Sequence, residues 1–212
     1  MFSARVSDWN GTYITKDGFL SYLQAEYPEL YEAYWIRGKT DLEAKRQAKP
    51  EVFKIFETAS ENALYPVELM PHVRERLHRD HQEGYARVIF SSISSEALSR
   101  QATKLGIREE LDHIVSLNEL MQRFSLSTAI KEDPEVYRYL AVLLHQKGFD
   151  HLDTYTDDGL PRVQAAVAAN QRLIEEGQKG FEMVYHFNPD ALLSPALEAG
   201  YTTINDLLHL KQ

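Results

Sequence analysis

The sequence predicts an α/β protein: a doubly wound parallel sheet carrying a helical insertion between its first two strands. Two observations carry that prediction. Short apolar runs alternate along the chain with longer segments of helical periodicity, the pattern of parallel strands joined by crossover helices. Residues 17–65 break the alternation, being helical in character without a convincing strand. A third observation concerns function: polar and Gly-containing clusters follow the strands, at the carboxyl edge where open parallel sheets bind ligands.

In chain order, a strand is predicted over residues 2–7, followed by Asp8-Trp9-Asn10-Gly11-Thr12. The insertion, residues 17–65, offers Phe19, Leu20, Tyr22, Leu23, Leu30, Tyr31, Tyr34, Trp35, Val52, Phe53 and Phe56 as apolar anchors. Its aromatics Tyr22, Tyr31, Tyr34 and Trp35 read as core rather than as a substrate box. The α/β core then comprises residues 1–16 and 66–212. A helix over 70–83 carries His78 and His81 three positions apart, a spacing that can hold a metal, but Arg76, Arg79 and Asp80 mark that face as charged and solvated. The clearest strand, 86–90, runs into Ser91-Ser92 and is followed by a helix over 94–105 and a strand over 113–115.

Asp133 is placed to cap a helix over 134–147 whose first residue is Pro134, with Gly148 stopping it. A strand over 152–156 ends at Asp157-Asp158, and Pro161 opens a helix over 161–176 that Gly177 closes. Strands over 181–185 and 201–203 and a closing helix over 204–210 complete the pattern. There is no internal repeat and no low-complexity tract.

Composition narrows the chemistry. The 212 residues hold 23 Lys plus Arg against 32 Asp plus Glu, a net charge of −9, and no cysteine. A nucleic-acid binder needs compensating positive charge, so no nucleic-acid partner is expected. Nor is a membrane, since no apolar run approaches the ~18 residues of a span. The first residues also lack a secretory apolar stretch, so a cytoplasmic location is expected. Without cysteine there is no disulfide, thiolate metal site or cysteine nucleophile.

Four clusters fall at predicted strand ends: Asp8 to Thr12, Ser91-Ser92, Lys131 just before Asp133-Pro134, and Thr156-Asp157-Asp158. A carboxylate on a tight Gly-containing turn can attack phosphorus and form an aspartyl-phosphate. Converging acids call for a hard cation such as magnesium. A hydroxyl and an ammonium can then hold phosphoryl oxygens. Each cluster also has an ordinary reading alone: an Asx turn at Asn10-Gly11, strand-end serines, a solvated loop lysine, a turn before the Pro161 helix.

Taken in order, Asp-x-x-Gly-Thr, strand-Ser, Lys-x-Asp-Pro and an Asp pair resemble the haloacid dehalogenase superfamily over nearly the whole chain. Residues 91–97 and Thr156-Asp157 look most like its enolase-phosphatase branch. The insertion resembles the family's cap, and the small residues Ala165-Ala166-Val167-Ala168-Ala169 the helix that packs behind the last motif. The resemblance implies Asp8 as nucleophile and magnesium ligand, with the Asn10 carbonyl as a further ligand and amides around Asn10 and Gly11 holding the phosphoryl group together with Thr12. It implies Ser91 and Ser92 as phosphoryl-binding hydroxyls, Lys131 as the charge-stabilising lysine, and Asp157, with Asp158 beside it, as magnesium ligands. Trp9 would point to the cap and help close over substrate.

The implied activity is hydrolysis of a small phosphorylated metabolite. Two positions depart from the pattern. Asn10 stands where phosphatases of the family carry an Asp general acid and base, help worth roughly 10²–10⁴-fold in rate. Pro161 stands where an acid usually follows the Asp pair. A carbon–halogen hydrolase of the same fold, needing no magnesium, and a catalytically impaired binding or interaction protein are the competing expectations.

Overall fold

The computed structural model describes residues 2–126, 130–190, 196–197 and 200–209. A seven-stranded sheet in the order β3-β2-β1-β4-β5-β7-β6 forms the centre. The strands are β1 (Ser3–Ser7), β2 (Tyr85–Ser91), β3 (His113–Ser116), β4 (His151–Asp157), β5 (Phe181–Phe187), β6 (Ala196–Leu197) and β7 (Thr202–Ile204). Six run parallel, and only β6 pairs antiparallel, with β7. The chain winds outward from β1 through β2 to β3, then crosses back to set β4 on the other side of β1. That reversal opens a crevice at the carboxyl ends of β1 and β4, the usual ligand position in such sheets.

The helices are α1 (Asp17–Glu26), α2 (Pro28–Tyr31), α3 (Leu42–Glu61), α4 (Val73–Gln82), α5 (Ser95–Lys104), α6 (Leu117–Arg123), α7 (Pro134–Gln146) and α8 (Leu160–Glu175). Alternation along each strand sends neighbours to opposite faces. Val88 and Phe90 pack with α6, α7 and α8 on one side, while Ile89 packs with α4 and α5 on the other. The result is the doubly wound, three-layer α/β arrangement the sequence predicts. No helix among the described residues is long and apolar enough to cross a membrane.

Local signals act as read for α7: Asp133 accepts from the Glu135 amide, Pro134 occupies the first turn, and Gly148 adopts φ +95° just beyond. Two departures concern element type. Helix α6, capped by Ser116, was not anticipated, because its seven residues are too short to show a period. The closing helix expected over 204–210 is instead a strand end followed by a single 3₁₀ turn, Leu207–His209, with residue 210 outside the described residues. Ile204 is drawn into the sheet by pairing with Phe187, which takes the expected first residue of the helix into a strand.

The face of α4 carries a larger correction. Arg76 and Asp80 are not solvated but buried, and so is Arg5 on β1. Arg5 donates to Asp80 at 2.5 Å and to Asp153 on β4 at 2.7 Å, while Arg76 donates to Asp80 at 2.6 Å. These charges pair under the sheet, where a sequence pattern sees only a hydrophilic helix. His78 and His81 are exposed on the opposite side of α4, as expected.

Segment 17–61 is helical throughout its regular elements, with π and 3₁₀ turns over Glu32–Ile36 and Arg37–Lys39. It leaves and rejoins the core through a short pairing: Thr15 donates to the Glu68 carbonyl and Met70 to that of Tyr13, both at 2.9 Å. Phe19 stacks edge-on against Phe56 and Tyr65. Of the expected anchors only Leu23 and Val52 are buried, and Phe53 is 38% exposed. Tyr22, Tyr31, Tyr34 and Trp35 are only partly covered, so they do not form a core. A layer of thin helices can bury one face only, and these aromatics lie along its margin.

Candidate functional site

Asp8 directly follows β1, and its amide donates to the Thr156 carbonyl of β4, fixing it at the carboxyl edge of the sheet. The turn behind it is closed by the Tyr13 and Ile14 amides donating to the Trp9 carbonyl and by the Gly11 amide donating to that of Ile14. Gly11 has φ +83°, and a Cβ there would collide with the side chains of Asp158 and Lys16. Only glycine suits such a position. Because its amide is already engaged within the turn, Gly11 does not offer that group to a ligand.

The Lys131 ammonium, buried, reaches the Asp8 Oδ1 at 2.6 Å, the Asp157 Oδ2 at 3.2 Å and the Phe90 carbonyl at 3.3 Å. It therefore ties together the ends of β1, β2 and β4. Asp157, also buried, has both oxygens engaged: Oδ1 accepts from the Gly159 amide at 2.8 Å and forms an ion pair with Arg162 Nε at 3.0 Å, and Oδ2 accepts from the Tyr155 hydroxyl at 2.5 Å and from Lys131. Asp158 accepts from Arg162 Nη2 at 2.9 Å and from Lys16. By contrast, Asp8 Oδ2 is buried without a hydrogen-bond partner and pairs with Arg162 Nη1 at 3.8 Å.

These contacts set the ionisation of the site. Burial, with the charges of Asp157 and Asp158, pushes Asp8 up to about 6 against the pull of Lys131 and Arg162. Burial alone would raise Asp157 too, but Arg162, Lys131 and its hydrogen bonds hold it below the ordinary carboxylate range. The ionisations of the two carboxylates are thus pushed in opposite directions.

The sequence-predicted residues meet here unevenly. Asp8, Lys131, Asp157 and Asp158 converge. Ser91 is buried at the end of β2, where its hydroxyl accepts from the Ile93 amide at 3.4 Å, and Ser92 follows it, half-buried. The Thr12 hydroxyl is buried without a partner. Asn10 is half-buried and its backbone pairs with Ile14 inside the turn. Trp9 does not reach for the insertion: it is wholly buried, donating Nε1 to Gln101 on α5 at 2.7 Å and packing with Tyr13. Alternation explains the reversal, since the residue after a strand-end Asp that faces the crevice turns into the layer beneath.

Arg162 and Lys16 were not singled out by the sequence, and Tyr34 was read as a core aromatic of the insertion. Arg162 lies in the first turn of α8 and touches all three acids. Tyr34, on the insertion, is close enough to Arg162, Glu132 and Asp158 to feel their charges, although burial is the main cause of its raised pKa. A basic residue one position after Pro161, where the resemblance leads one to look for an acid, is the signal that could have found Arg162.

Asp8, Asp157 and Asp158 bring carboxylate oxygens within 4.8 Å of one another, the donor type that magnesium favours. The chain's own cations and donors take both oxygens of Asp157 and of Asp158. In this arrangement the residues present do not fit a magnesium ion.

An open parallel sheet that reverses at β1, with an aspartate ending β1, a lysine reaching across and an acidic pair ending β4, defines the haloacid dehalogenase-like fold. Among solved structures the chain is similar to a HAD phosphatase from Thermococcus onnurineus, with TM-score 0.59 and 17% identity over 99% of this chain and 96% of that one. It is also similar to an L-2-haloacid dehalogenase from Xanthobacter autotrophicus with chloropropionic acid covalently bound, with TM-score 0.56 and 15% identity over 91% and 80%. No protein-family model and no curated protein matches the sequence.

Proposed function

We propose that the protein is a hydrolase in which Asp8 attacks a small phosphorylated metabolite. The observation that carries this reading is the Asp8 carboxylate: one oxygen is anchored by Lys131, and the other is buried without a hydrogen bond, facing the Arg162 guanidinium at 3.8 Å. With its pKa at about 6, the group is mostly ionised at neutral pH and more basic than an ordinary carboxylate. Asp8 Oδ2 forms the bond to phosphorus as the bond to the leaving oxygen breaks. Water then attacks phosphorus, releasing inorganic phosphate and restoring the carboxylate. Lys131 and Arg162 offset the negative charge that gathers around the transferring group.

Asn10 has no proton to give, so leaving groups stable without one are favoured, acyl phosphates ahead of alkyl phosphomonoesters. Magnesium, which the sequence resemblance implies, finds oxygens of the right kind in Asp8, Asp157 and Asp158, but their lone pairs are largely engaged. Tyr34 at the rim is the insertion's candidate for contact with substrate.

A second reading, attack by Asp8 on the carbon of a 2-halo acid, is favoured by two features. Lys131, Arg162 and Lys16 already balance the three carboxylates, and a departing halide needs no proton. A panel of acyl phosphates, phosphomonoesters and 2-halo acids, assayed for phosphate and halide with wild type, Asp8→Asn and Asn10→Asp, tests both. Phosphate release that Asp8→Asn abolishes supports the first reading, and halide release the second. Turnover indifferent to Asp8→Asn overturns both. Silence of the wild type with activity gained by Asn10→Asp marks an impaired binding protein instead.

A further inference from the structure

Three carboxylates from two strand ends converge on one guanidinium. Arg162 binds Asp157 through Nε at 3.0 Å and Asp158 through Nη2 at 2.9 Å, and its Nη1 faces Asp8 Oδ2 at 3.8 Å. Lys16, from the turn after β1, takes the remaining oxygen of Asp158. The surroundings are cut to admit these groups: a Cβ at Gly159 would collide with the guanidinium, and one at Gly11 with Lys16 and Asp158. The Arg162 side chain is 20% exposed, so it is packed into the site rather than lying across its mouth. Against the cost of its burial, the three acids around it hold its pKa well above the ordinary guanidinium range.

We infer that Arg162, backed by Lys16, is the resident cation of this site: it occupies the place among Asp8, Asp157 and Asp158 that a divalent ion would need. The site accordingly works without a divalent metal. Two monovalent side chains supply the same positive charge as one such ion, and a guanidinium matches carboxylate geometry through several donors at once. The pairing of Arg162 with the acids holds whatever the substrate. Only its catalytic consequence rests on Asp8 being the nucleophile.

The test is a manganese titration followed by electron paramagnetic resonance on three folded proteins: wild type, Arg162→Asn and the double variant Arg162→Asn/Asp158→Asn. Arg162→Asn is expected to gain one bound ion with at least about tenfold higher affinity than wild type, and the double variant to lose it. Wild type binding one ion as tightly as Arg162→Asn overturns the inference, as does a folded Arg162→Asn that binds none. Should Arg162→Asn not fold, Arg162→Gln serves with the same expectations. Catalysis gives a separate readout. Asp8-dependent turnover that survives chelation agrees with the inference, whereas turnover abolished by chelation overturns it and leaves the hydrolase reading standing. If no substrate turns over, the hydrolase reading falls and the manganese titration still decides the role of Arg162.

Discussion

Asp8 and Lys131 show how two side chains far apart in sequence become one chemical unit. The ammonium lowers the cost of a buried carboxylate, and the carboxylate keeps the ammonium from solvent. If Asp8 attacks as proposed it must be ionised, so kcat/KM should rise with pH along a single limb centred near 6, which a pH profile with whichever substrate turns over checks. Replacing Lys131 with Met removes a buried donor aimed at developing charge, and should lower kcat by about 10²–10³-fold. Tyr34→Ala, at the rim, should raise KM with little change in kcat, the split expected of a residue that helps only in binding.

At the scale of elements, the turn after β1 and the helix α4 hold the most information. Gly11→Ala places a side chain where Asp158 and Lys16 already lie, at a φ that other residues rarely adopt. The turn should shift, and the variant should lose turnover while retaining the circular dichroism of the folded sheet. On the opposite edge, Arg5 joins β1, α4 and β4 through Asp80 and Asp153. Removing one partner of a buried ionic cluster leaves uncompensated charge, so Arg5→Ala should cost about 3–5 kcal/mol in urea unfolding. The period of α4 was readable, but which of its charges is buried was not. That depended on an arginine 75 residues earlier.

For the molecule as a whole, the raised pKa of Asp8 has a stability consequence of definite sign. Its folded value, about 6, lies above the 3.8 of an unperturbed carboxyl. Its protonated form therefore favours the folded state, a contribution fully present below about pH 4 and lost as pH rises through 6. The unfolding free energy of wild type relative to Asp8→Asn should fall over that window and level off above it, measured by denaturant titration at successive pH values.

The succession of strands and helices along the chain, the caps of α7 and the positions of Asp8, Ser91 and Asp157 at strand ends were legible because they depend on local chemistry: apolar period, capping and turn residues. Lys131, expected at a strand end, comes instead from the loop between α6 and α7, because the unforeseen α6 follows β3. Trp9, Arg76 and Asp80 were misread because each looks locally like something else. An aromatic after Asp8 reads as a lid, and charges on a helix read as solvated. Their placement is decided by what the sheet and α5 bring against them.

The sequence by itself determined an α/β chain with a helical insertion and the acids and lysine that would gather at one edge. Only the tertiary structure decided that Arg162 enters among those acids and that Asp8 keeps one oxygen without a hydrogen bond. Covalent neighbours and periodicity govern the first kind of fact. The second depends on which charges from distant elements share one low-dielectric crevice, where each group's partners set its state.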